Sequence, residues 1–356
     1  MEVLYFGTYE RRYPRNAQVI SCLRRAGVKV RERHEPVWEG AEHKWKAGAG
    51  ALLRLSVAEA RLLARPDTGG ADALIVGYPG HFDLPAARRA ARGRPVVFNP
   101  LVSLSETLVG DRGRFGPGSL PARALELVDR RALRSADLVV ADTAANADRL
   151  SSLAGLERDR VAVCYVGAEE RVFRRVWRRP DRFTCLFVGK LIPLHGLETV
   201  LAAARAASEI PFRIVGSGQL EALLADRPPN VEWIPWVEYE QLPGELGRAG
   251  CALGVFGTSD KAARVIPNKA FQALACGTPL VTADSPAARE LLHHGQEALL
   301  VPPGDPGALA EAIRRLAADH GLSERVGAAG HAVYRKDAGE DVLGARWRSL
   351  LERLLA

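Results

Sequence analysis

The sequence predicts an α/β protein built from two doubly wound domains that face each other across a cleft. Short apolar segments rich in β-branched residues alternate with segments of helical spacing along all 356 residues, which indicates parallel sheets covered by helices on both faces. About six such units in each half favour two open sheets over one closed barrel of eight strands. Ligands of open parallel sheets bind outside the carboxyl ends of the strands, so we expect the site in the cleft.

The predicted elements alternate in the same way in both halves. In the first half, strands are expected at 3–7, 28–32, 73–78, 95–99, 136–142 and 161–167, and helices at 17–27, 57–66, 84–93 and 122–136. In the second half, strands are expected at 183–190, 212–218, 231–237, 251–257, 278–284 and 298–304, and helices near 196–207, 219–225, 241–249, 267–276, 286–293 and 306–319.

A polar, charged segment with one proline, residues 171–183, separates the two series. We therefore expect an N-terminal domain at 1–176 and a C-terminal domain at 177–340. Residues 341–356 have the spacing of an amphipathic helix, which we expect to cross back to the N-terminal domain. Its apolar side chains are Val342, Trp347, Leu350, Leu351 and Leu354.

The composition is that of a globular protein, because 47% of the residues are hydrophobic and 26% are charged. The apolar runs fall short of the roughly 18 residues that a membrane span needs, and the first residues are typical of a strand and not of a signal peptide. The five cysteines lack metal or redox spacing, which favours buried thiols in a reducing compartment. We therefore expect a cytoplasmic protein.

The excess of basic over acidic residues lies in the first half of the chain. Residues 1–176 carry 29 Lys and Arg against 21 Asp and Glu, a net charge of +8, and residues 177–356 carry −1. An anionic membrane surface or an acidic partner would exploit this excess, whereas the simpler interpretation is a solvated arginine-rich surface. No nucleic-acid partner is expected. The basic residues near the N-terminus are Arg11, Arg12, Arg15, Arg24, Arg25, Lys29, Arg31 and Arg33.

Three loops of the second half have the residues of an anion or sugar site. Gly189 and Lys190 end the first strand there, and His195 with the glycine after it opens the next helix. Gly216 and Gly218 give room beside the second strand end. Each loop alone is a weak signal, because glycine is often structural at such turns.

The segment RVIPNKAFQALACGTPLVT, residues 264–282, predicts a helix followed by a buried strand. Pro267 at the first helical position would lose no hydrogen bond, and the amides of Asn268 and Lys269 would then be free to bind a ligand. Because the N-terminus of a helix carries partial positive charge, an anion or a sugar hydroxyl is the expected ligand.

These segments carry a family resemblance. FVGKLIPLHGLETVLAAA, RIVGSGQ, VEWIPWV and PNKAFQALACGTPLVTADSPAARELLHHGQEALLVPPGDPGALAEAI resemble the donor half of the family 4 (group 1) glycosyltransferases. The resemblance is continuous over about 185–315 and looser in the first half. It implies the GT-B fold with two Rossmann-like domains, of which the second binds a nucleoside-diphosphate sugar and the first binds the acceptor. It also implies a retaining reaction without a metal or other cofactor.

The family pattern transfers to this chain with three departures. The glycine and basic residue after the first donor-domain strand fall on Gly189 and Lys190, but the second diphosphate-binding lysine of the family falls on His195. The two family glutamates fall on Arg264 and Gln272. The donor-binding residues that follow are Gly189, Lys190, His195, Gly216, Gly218, Trp236, Val237, Lys261, Arg264, Pro267, Asn268, Lys269 and Gln272, with Trp236 where the family holds the nucleobase.

The charge inversion at Arg264 leaves several interpretations open. In the interpretation that we favour, three cations bind the diphosphate in place of the family lysine that His195 replaces. These cations are Lys261, Arg264 and Lys269. Alternatively, the donor sugar carries a carboxylate, or the leaving diphosphate is held from this side. The site could also have lost activity, or the charges could simply be solvated.

The first half supplies weaker candidates. The loop after the first strand lies where the family binds diphosphate and acceptor, which selects Thr8, Arg12, Arg15 and Asn16, and Asn99 ends a neighbouring strand. His81 or Glu106 would be the polar group near the acceptor hydroxyl, with Lys190 stabilising the diphosphate. For all of these a surface or structural role is the alternative.

The favoured function is a cytoplasmic retaining glycosyltransferase that moves a hexosyl group to a glycan, lipid-linked or small-molecule acceptor. Its basic first domain would suit an acceptor at the inner membrane face in cell-envelope polysaccharide synthesis. The alternative is a non-catalytic nucleotide-sugar-binding protein that acts as a partner or regulator. An epimerase would be expected to carry acid/base carboxylates in the donor half. A dehydrogenase is disfavoured because the first strand runs into GTYERR and not into G-x-G-x-x-G.

Overall fold

The computed structural model describes residues 1–38, 49–64 and 69–356, which form two compact units. Unit 1 contains residues 1–165 and 340–356, and unit 2 contains residues 166–339. Each unit has one six-stranded sheet in which every strand pair is parallel, and this confirms the predicted α/β class with two doubly wound domains.

The sheet of unit 1 has the strand order β2-β1-β3-β4-β5-β6. These strands are β1 (Glu2–Gly7), β2 (Lys29–His34), β3 (Ala73–Val76), β4 (Val96–Phe98), β5 (Leu138–Ala141) and β6 (Val161–Val163). Its helices are α1 (Pro14–Arg25), α2 (Ala49–Ala64), α3 (Leu84–Ala91), α4 (Leu120–Ser135), α5 (Ala144–Ala154) and α13 (Glu340–Leu355). Helices α2 to α5 share one core face of the sheet, and α1 and α13 share the other. The predicted helix 57–66 lies within α2, except for residues 65 and 66, which are outside the described residues.

Helix α13 packs on α1 and completes the core of unit 1. Trp347 and Leu351 are fully buried in a cluster with β1 and α1. Val342, expected on the apolar face, is 36% exposed, and Leu343 is buried in its place. The spacing explains this correction, because 343, 347 and 351 are separated by four residues each and lie on one helical face.

The sheet of unit 2 has the order β12-β11-β10-β7-β8-β9. Its strands are β7 (Cys185–Val188), β8 (Phe212–Val215), β9 (Val231–Ile234), β10 (Cys251–Leu253), β11 (Leu280–Ala283) and β12 (Leu299–Val301). Its helices are α6 (Leu197–Ala206), α7 (Leu242–Arg248), α8 (Asp260–Ala263), α9 (Asn268–Cys276), α10 (Pro286–Arg289), α11 (Pro306–Ala318) and α12 (His320–Val333). The helix expected at 219–225 is a short 3-10 turn at Glu221–Leu224, and α12 was not predicted.

The strand order fixes where unit 2 can bind a ligand. The chain order reverses between β7 and β10, which are hydrogen-bonded neighbours at the centre of the sheet. At such a switch point the loops that leave the two strands diverge and create a crevice at the carboxyl edge. In the described ranges, no helix combines the length and the apolarity that crossing a bilayer requires.

Candidate functional site

Glycines bring the loops after β7 and β8 into backbone contact. Gly189, Gly216 and Gly218 have φ values of 139°, 144° and 155°, which L side chains rarely adopt. A Cβ on Gly216 would overlap the carbonyl oxygen of Gly189, and one on Gly218 would lie 2.6 Å from the carbonyl oxygen of Leu191. The predicted glycine loops therefore meet beside the switch point.

The loop after β7 also contacts the loop after β10. Gly196 has a φ of 67°, and a Cβ there would lie 2.6 Å from the carbonyl carbon of Phe256. The amide of Phe256 donates to the carbonyl oxygen of His195 over 3.2 Å. The backbones of the loops after β7 and β10 are thus in contact beside the switch point.

Helix α9 begins one residue later than predicted. Pro267 is the N-cap residue, with extended backbone at φ −73° and ψ 154°, and the first helical residue is Asn268. The amide of Ala270 makes the first bond, to the carbonyl oxygen of Pro267 at 2.9 Å. The amides of Asn268 and Lys269 precede that bond, so the N-terminal donors of this nine-residue helix remain available to a ligand.

Lys269 carries a buried amine beside the glycine loop. Its side chain is 8% exposed, and its Nζ has no hydrogen-bond partner among the residues that the structure describes. The Nζ lies 3.5 Å from the centroid of the Phe187 ring, and Cε would lie 3.2 Å from a Cβ on Gly189. Burial lowers the pKa of Lys269 well below its usual range. An anion at this place would supply the missing partner.

The contribution of Lys269 to the stability of the ligand-free protein should increase as the pH rises towards about 10, because Lys269 holds its proton in the unfolded chain but releases it at lower pH when folded. At this residue the unfolded state then binds more protons, and its contribution to the free energy of unfolding rises by at most about 1.4 kcal/mol per pH unit. Urea unfolding at several pH values measures this, and Lys269→Met should remove that part of the slope. The exposed Lys336→Met is the control, and equal slopes in both variants would contradict the assignment.

His195 also lies next to Gly189. A Cβ on Gly189 would be 3.4 Å from Lys269 Nζ and 3.5 Å from His195 Cε1. Nδ1 of His195 is bonded to the carbonyl oxygen of Lys190 at 2.6 Å, whereas the Lys190 side chain is exposed. The structure therefore provides a lysine amine next to the position where the family lysine is replaced by histidine.

Gln272 follows Lys269 by one turn of α9 and shares a small cavity with it, lined also by Val188 and Leu242. Gln272 is hydrogen-bonded to the hydroxyl of Tyr239. Burial of Tyr239 raises the pKa of that hydroxyl. Neither Tyr239 nor Phe187 is among the site residues predicted from the sequence. Their signal was weak, because nothing in the local sequence distinguishes these aromatic residues from core packing.

Lys261 and Arg264 precede α9. Lys261 is in α8, and Arg264 follows that helix. The hydroxyl of Ser259 caps α8 by accepting a hydrogen bond from the amide of Ala262 at 3.2 Å. Both side chains are half-buried. The structure thus keeps the predicted cations on the segment that leads into the N-terminus of α9.

Trp236 and Val237 follow the edge strand β9, two strands away from β7. Trp236 is 70% exposed, and its Nε1 lies 3.4 Å from a carboxylate oxygen of Glu238. Trp233 is the residue that reaches the glycine loop, since its Nε1 donates to the carbonyl oxygen of Gly216 over 2.9 Å. The nucleobase role of Trp236 stays a prediction.

In unit 1, Thr8 is buried in the loop after β1, and Asn16 is buried in the first turn of α1. The amide and hydroxyl of Thr8 donate to the Asp83 carboxylate over 2.7 and 2.9 Å. Oδ1 of Asn16 accepts from the Tyr5 hydroxyl at 2.9 Å and from the Tyr78 amide at 2.9 Å. These bonds position the loops after β1 and β3, and the acceptor-side roles of both residues stay predictions.

A hydrogen bond between Arg15 and Asn99 joins α1 to the loop after β4. Arg15 is fully buried, its Nε donates to Asn99 Oδ1 over 3.0 Å, and its Nη1 donates to the carbonyl oxygens of Cys164 and Tyr165. Arg12 is exposed on the loop after β1. Of the two arginines assigned to the acceptor side, Arg12 is therefore the one that solvent reaches.

His81 and Glu106 both have protein partners. His81 is buried, its Nε2 lies 3.3 Å from Asp129 Oδ1, and burial lowers the pKa of His81 although Asp129 opposes this. Glu106 begins a π-helix at Glu106–Asp111 and bonds Arg149 Nε at 2.6 Å. These contacts give both residues structural roles, and their catalytic roles stay predictions.

Two family models match the chain. A glycosyl transferase 4-like domain matches residues 1–167, and the glycosyl transferases group 1 model matches residues 182–319. The D-inositol 3-phosphate glycosyltransferase of Acidothermus cellulolyticus is 32% identical over 72% of this chain. The phosphatidyl-myo-inositol mannosyltransferase of Mycobacterium leprae is 32% identical over 43% of it. The alignments span 64% and 42% of these two relatives.

Solved structures show the same architecture. The Anabaena HepE protein in complex with UDP-glucose has a TM-score of 0.73 at 16% identity and covers 99% of this chain and 100% of its own. Sucrose-phosphate synthase from Thermosynechococcus elongatus has a TM-score of 0.75 at 17% identity, with 99% and 98% covered. The fold is therefore that of two-domain α/β proteins of the GT-B class. Within that class, the chain belongs to the group 1 (family 4) glycosyltransferases.

Proposed function

We propose that this protein is a retaining glycosyltransferase that transfers a hexosyl group from a nucleoside-diphosphate sugar without a metal. The observation that supports the proposal is that Lys269 and His195 both lie next to Gly189, within 3.5 Å of the position of a Cβ there, and that Lys269 is in the first turn of α9. A diphosphate satisfies both the buried amine and the helix N-terminus. Family membership supports the reaction class, and the relatives' names support a sugar donor.

The residues of unit 2 act mainly on the leaving group. The bond between the anomeric carbon and the diphosphate oxygen breaks, and its electron pair goes to the diphosphate. Lys269 and the amides of α9 stabilise the negative charge that develops there, which is the role a metal would otherwise have. The acceptor hydroxyl oxygen bonds to the anomeric carbon on the same face, and its proton goes to a diphosphate oxygen. Gln272 holds the ribose hydroxyls as a neutral hydrogen-bonding group.

Unit 1 supplies the acceptor side of the proposed reaction, through the loops that carry Thr8, Arg12 and Asn99. The names of the two relatives support an acceptor with a hydroxylated ring, either as a free phosphate ester or on a lipid. We propose a cytoplasmic enzyme of cell-envelope glycan synthesis that acts at the inner membrane face.

A titration of UDP, GDP, dTDP and ADP by calorimetry, followed by assays of hydrolysis and transfer from the matching sugar conjugates, tests this function.

One nucleoside diphosphate should bind, and at about 100 times its dissociation constant it should stabilise the fold by about 2.7 kcal/mol. Turnover of its sugar conjugate supports the transferase. Tight binding without turnover under any acceptor supports a second candidate, a nucleotide-sugar-binding regulator. Arg264 and Gln272, which occupy the two glutamate positions of the family, favour that candidate. Absence of binding by every nucleotide would contradict both.

Removing either cation before α9 should weaken nucleotide binding. Arg264→Ala and Lys261→Ala each remove a positive charge near the diphosphate, so the affinity should fall about tenfold and become less sensitive to salt. Calorimetry at two salt concentrations measures both effects. The exposed Arg325→Ala in unit 2 is the control. Unchanged affinity in the two variants would leave Lys269 as the only compensating cation.

A further inference from the structure

Residues 171–182 concentrate positive charge in a segment that the proposed function does not use. The segment has six arginines and one aspartate, a net charge of +5, whereas the whole chain has a net charge of +7. In the sequence it marks the boundary between the two series of elements. In the structure it belongs to unit 2, which begins at residue 166. We call residues 171–182 the arginine segment.

Five of these arginines are exposed, and no carboxylate within the described residues forms an ion pair with them. Arg171 differs from the five, because its Nε lies 2.9 Å from a carboxylate oxygen of Glu169. Nε of Arg174 donates to the carbonyl oxygen of Glu170 over 3.1 Å, which leaves the charge of Arg174 uncompensated. The five exposed residues are Arg174, Arg175, Arg178, Arg179 and Arg182.

The basic residues near the N-terminus are a weaker candidate for binding an acidic partner. Carboxylates of unit 1 pair with most of them and reduce their local charge. Arg11 and Arg24 pair with Glu32, Lys29 and Arg31 with Glu2, and Arg25 with Glu340 and Asp341. The arginine segment therefore fits such a partner better than the region with the most basic residues in the sequence.

Hydrogen bonds fix the arginine segment at the amino edge of the sheet of unit 2. The amides of Val176 and Trp177 donate to the carbonyl oxygen of Cys276 over 3.2 and 3.0 Å, and Nε1 of Trp177 donates to the carbonyl oxygen of Ala249 over 2.8 Å. Cys276 ends α9 before β11, and Ala249 follows α7 before β10. The arginines therefore extend from a fixed backbone, so that binding a partner orders little of this chain. The glycine loops of the donor site are at the opposite, carboxyl edge.

One apolar side chain lies among these cations. Of the twelve described side chains in the segment, Val176 is the one apolar side chain that is exposed, by 45%. Arginine around a small apolar contact is typical of protein–protein interfaces. A nucleic acid would require exposed aromatic rings for its bases, and a bilayer would require an apolar face of several side chains. The composition therefore favours a protein partner.

We propose that the arginine segment is a docking site for an acidic, extended segment of a partner protein, whose carboxylates bind the exposed arginines and whose aliphatic side chain contacts Val176. A guanidinium binds a carboxylate through two parallel hydrogen bonds, which gives such a site its specificity. From Arg174 to Arg182 an extended chain spans at most about 28 Å, so about eight residues of the partner cover the site. A partner bound there leaves the glycine loops accessible, and this inference does not depend on the proposed function.

Fluorescence anisotropy with a labelled peptide, EEELEEEE with blocked ends, tests the docking site. The wild-type protein should bind this peptide, and salt should weaken the affinity. The double variant R178E/R179E should bind at least about tenfold more weakly, because two attractive charge pairs become repulsive. Val176→Ser should weaken binding of EEELEEEE by about threefold and leave the affinity for an all-glutamate peptide unchanged, because only the leucine contacts Val176.

The matched control is R123E/R131E, which changes two exposed arginines on α4 of unit 1 and alters the net charge equally. Its peptide affinity should stay within about twofold of the wild-type value. Nucleotide affinity should be unchanged in all variants, which separates this inference from the proposed function. No peptide binding by the wild-type protein, or equal weakening in the two double variants, would overturn the proposal. Tighter binding of oligouridylate or of phosphatidylglycerol vesicles, lost only in R178E/R179E, would overturn it in favour of a nucleic acid or a bilayer.

Discussion

Lys269→Met is expected to weaken nucleoside-diphosphate binding by about 30-fold or more and, at the same time, to stabilise the ligand-free protein. The decrease in affinity follows because a buried charge–phosphate contact contributes about 2 kcal/mol or more. The gain in stability follows because methionine fills the place beside Phe187 without a buried amine that lacks a hydrogen-bond partner among the described residues. Such a replacement should raise the free energy of unfolding by about 1–3 kcal/mol.

Because Lys269→Met should lower the nucleotide affinity but raise the folding stability, this test distinguishes a binding role from a packing role. Calorimetry with the nucleotide selected in the panel measures the affinity, and urea unfolding measures the stability. Lys336→Met serves as the matched control, because it makes the same chemical change on an exposed site of unit 2. A Lys269→Met protein that loses stability while keeping its affinity would assign Lys269 to packing alone.

Gly216→Ala should have the largest effect on the fold of unit 2. The φ of 144° at Gly216 is unfavourable for alanine, and the added methyl group would overlap the carbonyl oxygen of Gly189. Both loops would have to separate, which we expect to cost about 3 kcal/mol or more of folding stability and to abolish nucleotide binding. Circular dichroism during urea unfolding, together with calorimetry, measures both effects.

Gly244→Ala is the control for that change. Gly244 is inside α7, and no atom lies within 4 Å of the position that its Cβ would take. Alanine should therefore stabilise this helix by about 0.5–1 kcal/mol. Wild-type stability and affinity in Gly216→Ala would mean that the loops after β7 and β8 do not touch in solution.

The sequence was a good guide wherever the signal was local. Short apolar runs rich in β-branched residues, alternating with segments of helical spacing, predicted both parallel sheets. Glycine at strand ends predicted loops that the structure brings together. The position of Pro267 was wrong by one residue, because the choice between N-cap and first turn depends on a single ψ angle. The exchange of Val342 for Leu343 has a similar origin, since one residue of phase changes which face α13 buries.

Burial of the polar candidates could not be predicted, because their partners are distant in the chain. Arg15 looks like a surface arginine in its own segment, yet it binds carbonyl groups 149 and 150 residues away. His81 is fixed by Asp129 from a helix that follows much later. Lys269 was selected for its place in a motif, but the aromatic ring beneath it and its isolation from solvent required the three-dimensional arrangement of β7 and α9.

The packing of α13 has a consequence for synthesis on the ribosome. The hydrophobic interior that residues 1–165 begin is closed by Trp347 and its neighbours, which are translated after all of unit 2. The core of unit 1 is therefore complete only after α13 has been synthesised. Until α13 packs, the side chains of unit 1 that it covers form an exposed apolar surface, which favours aggregation of the partly folded chain.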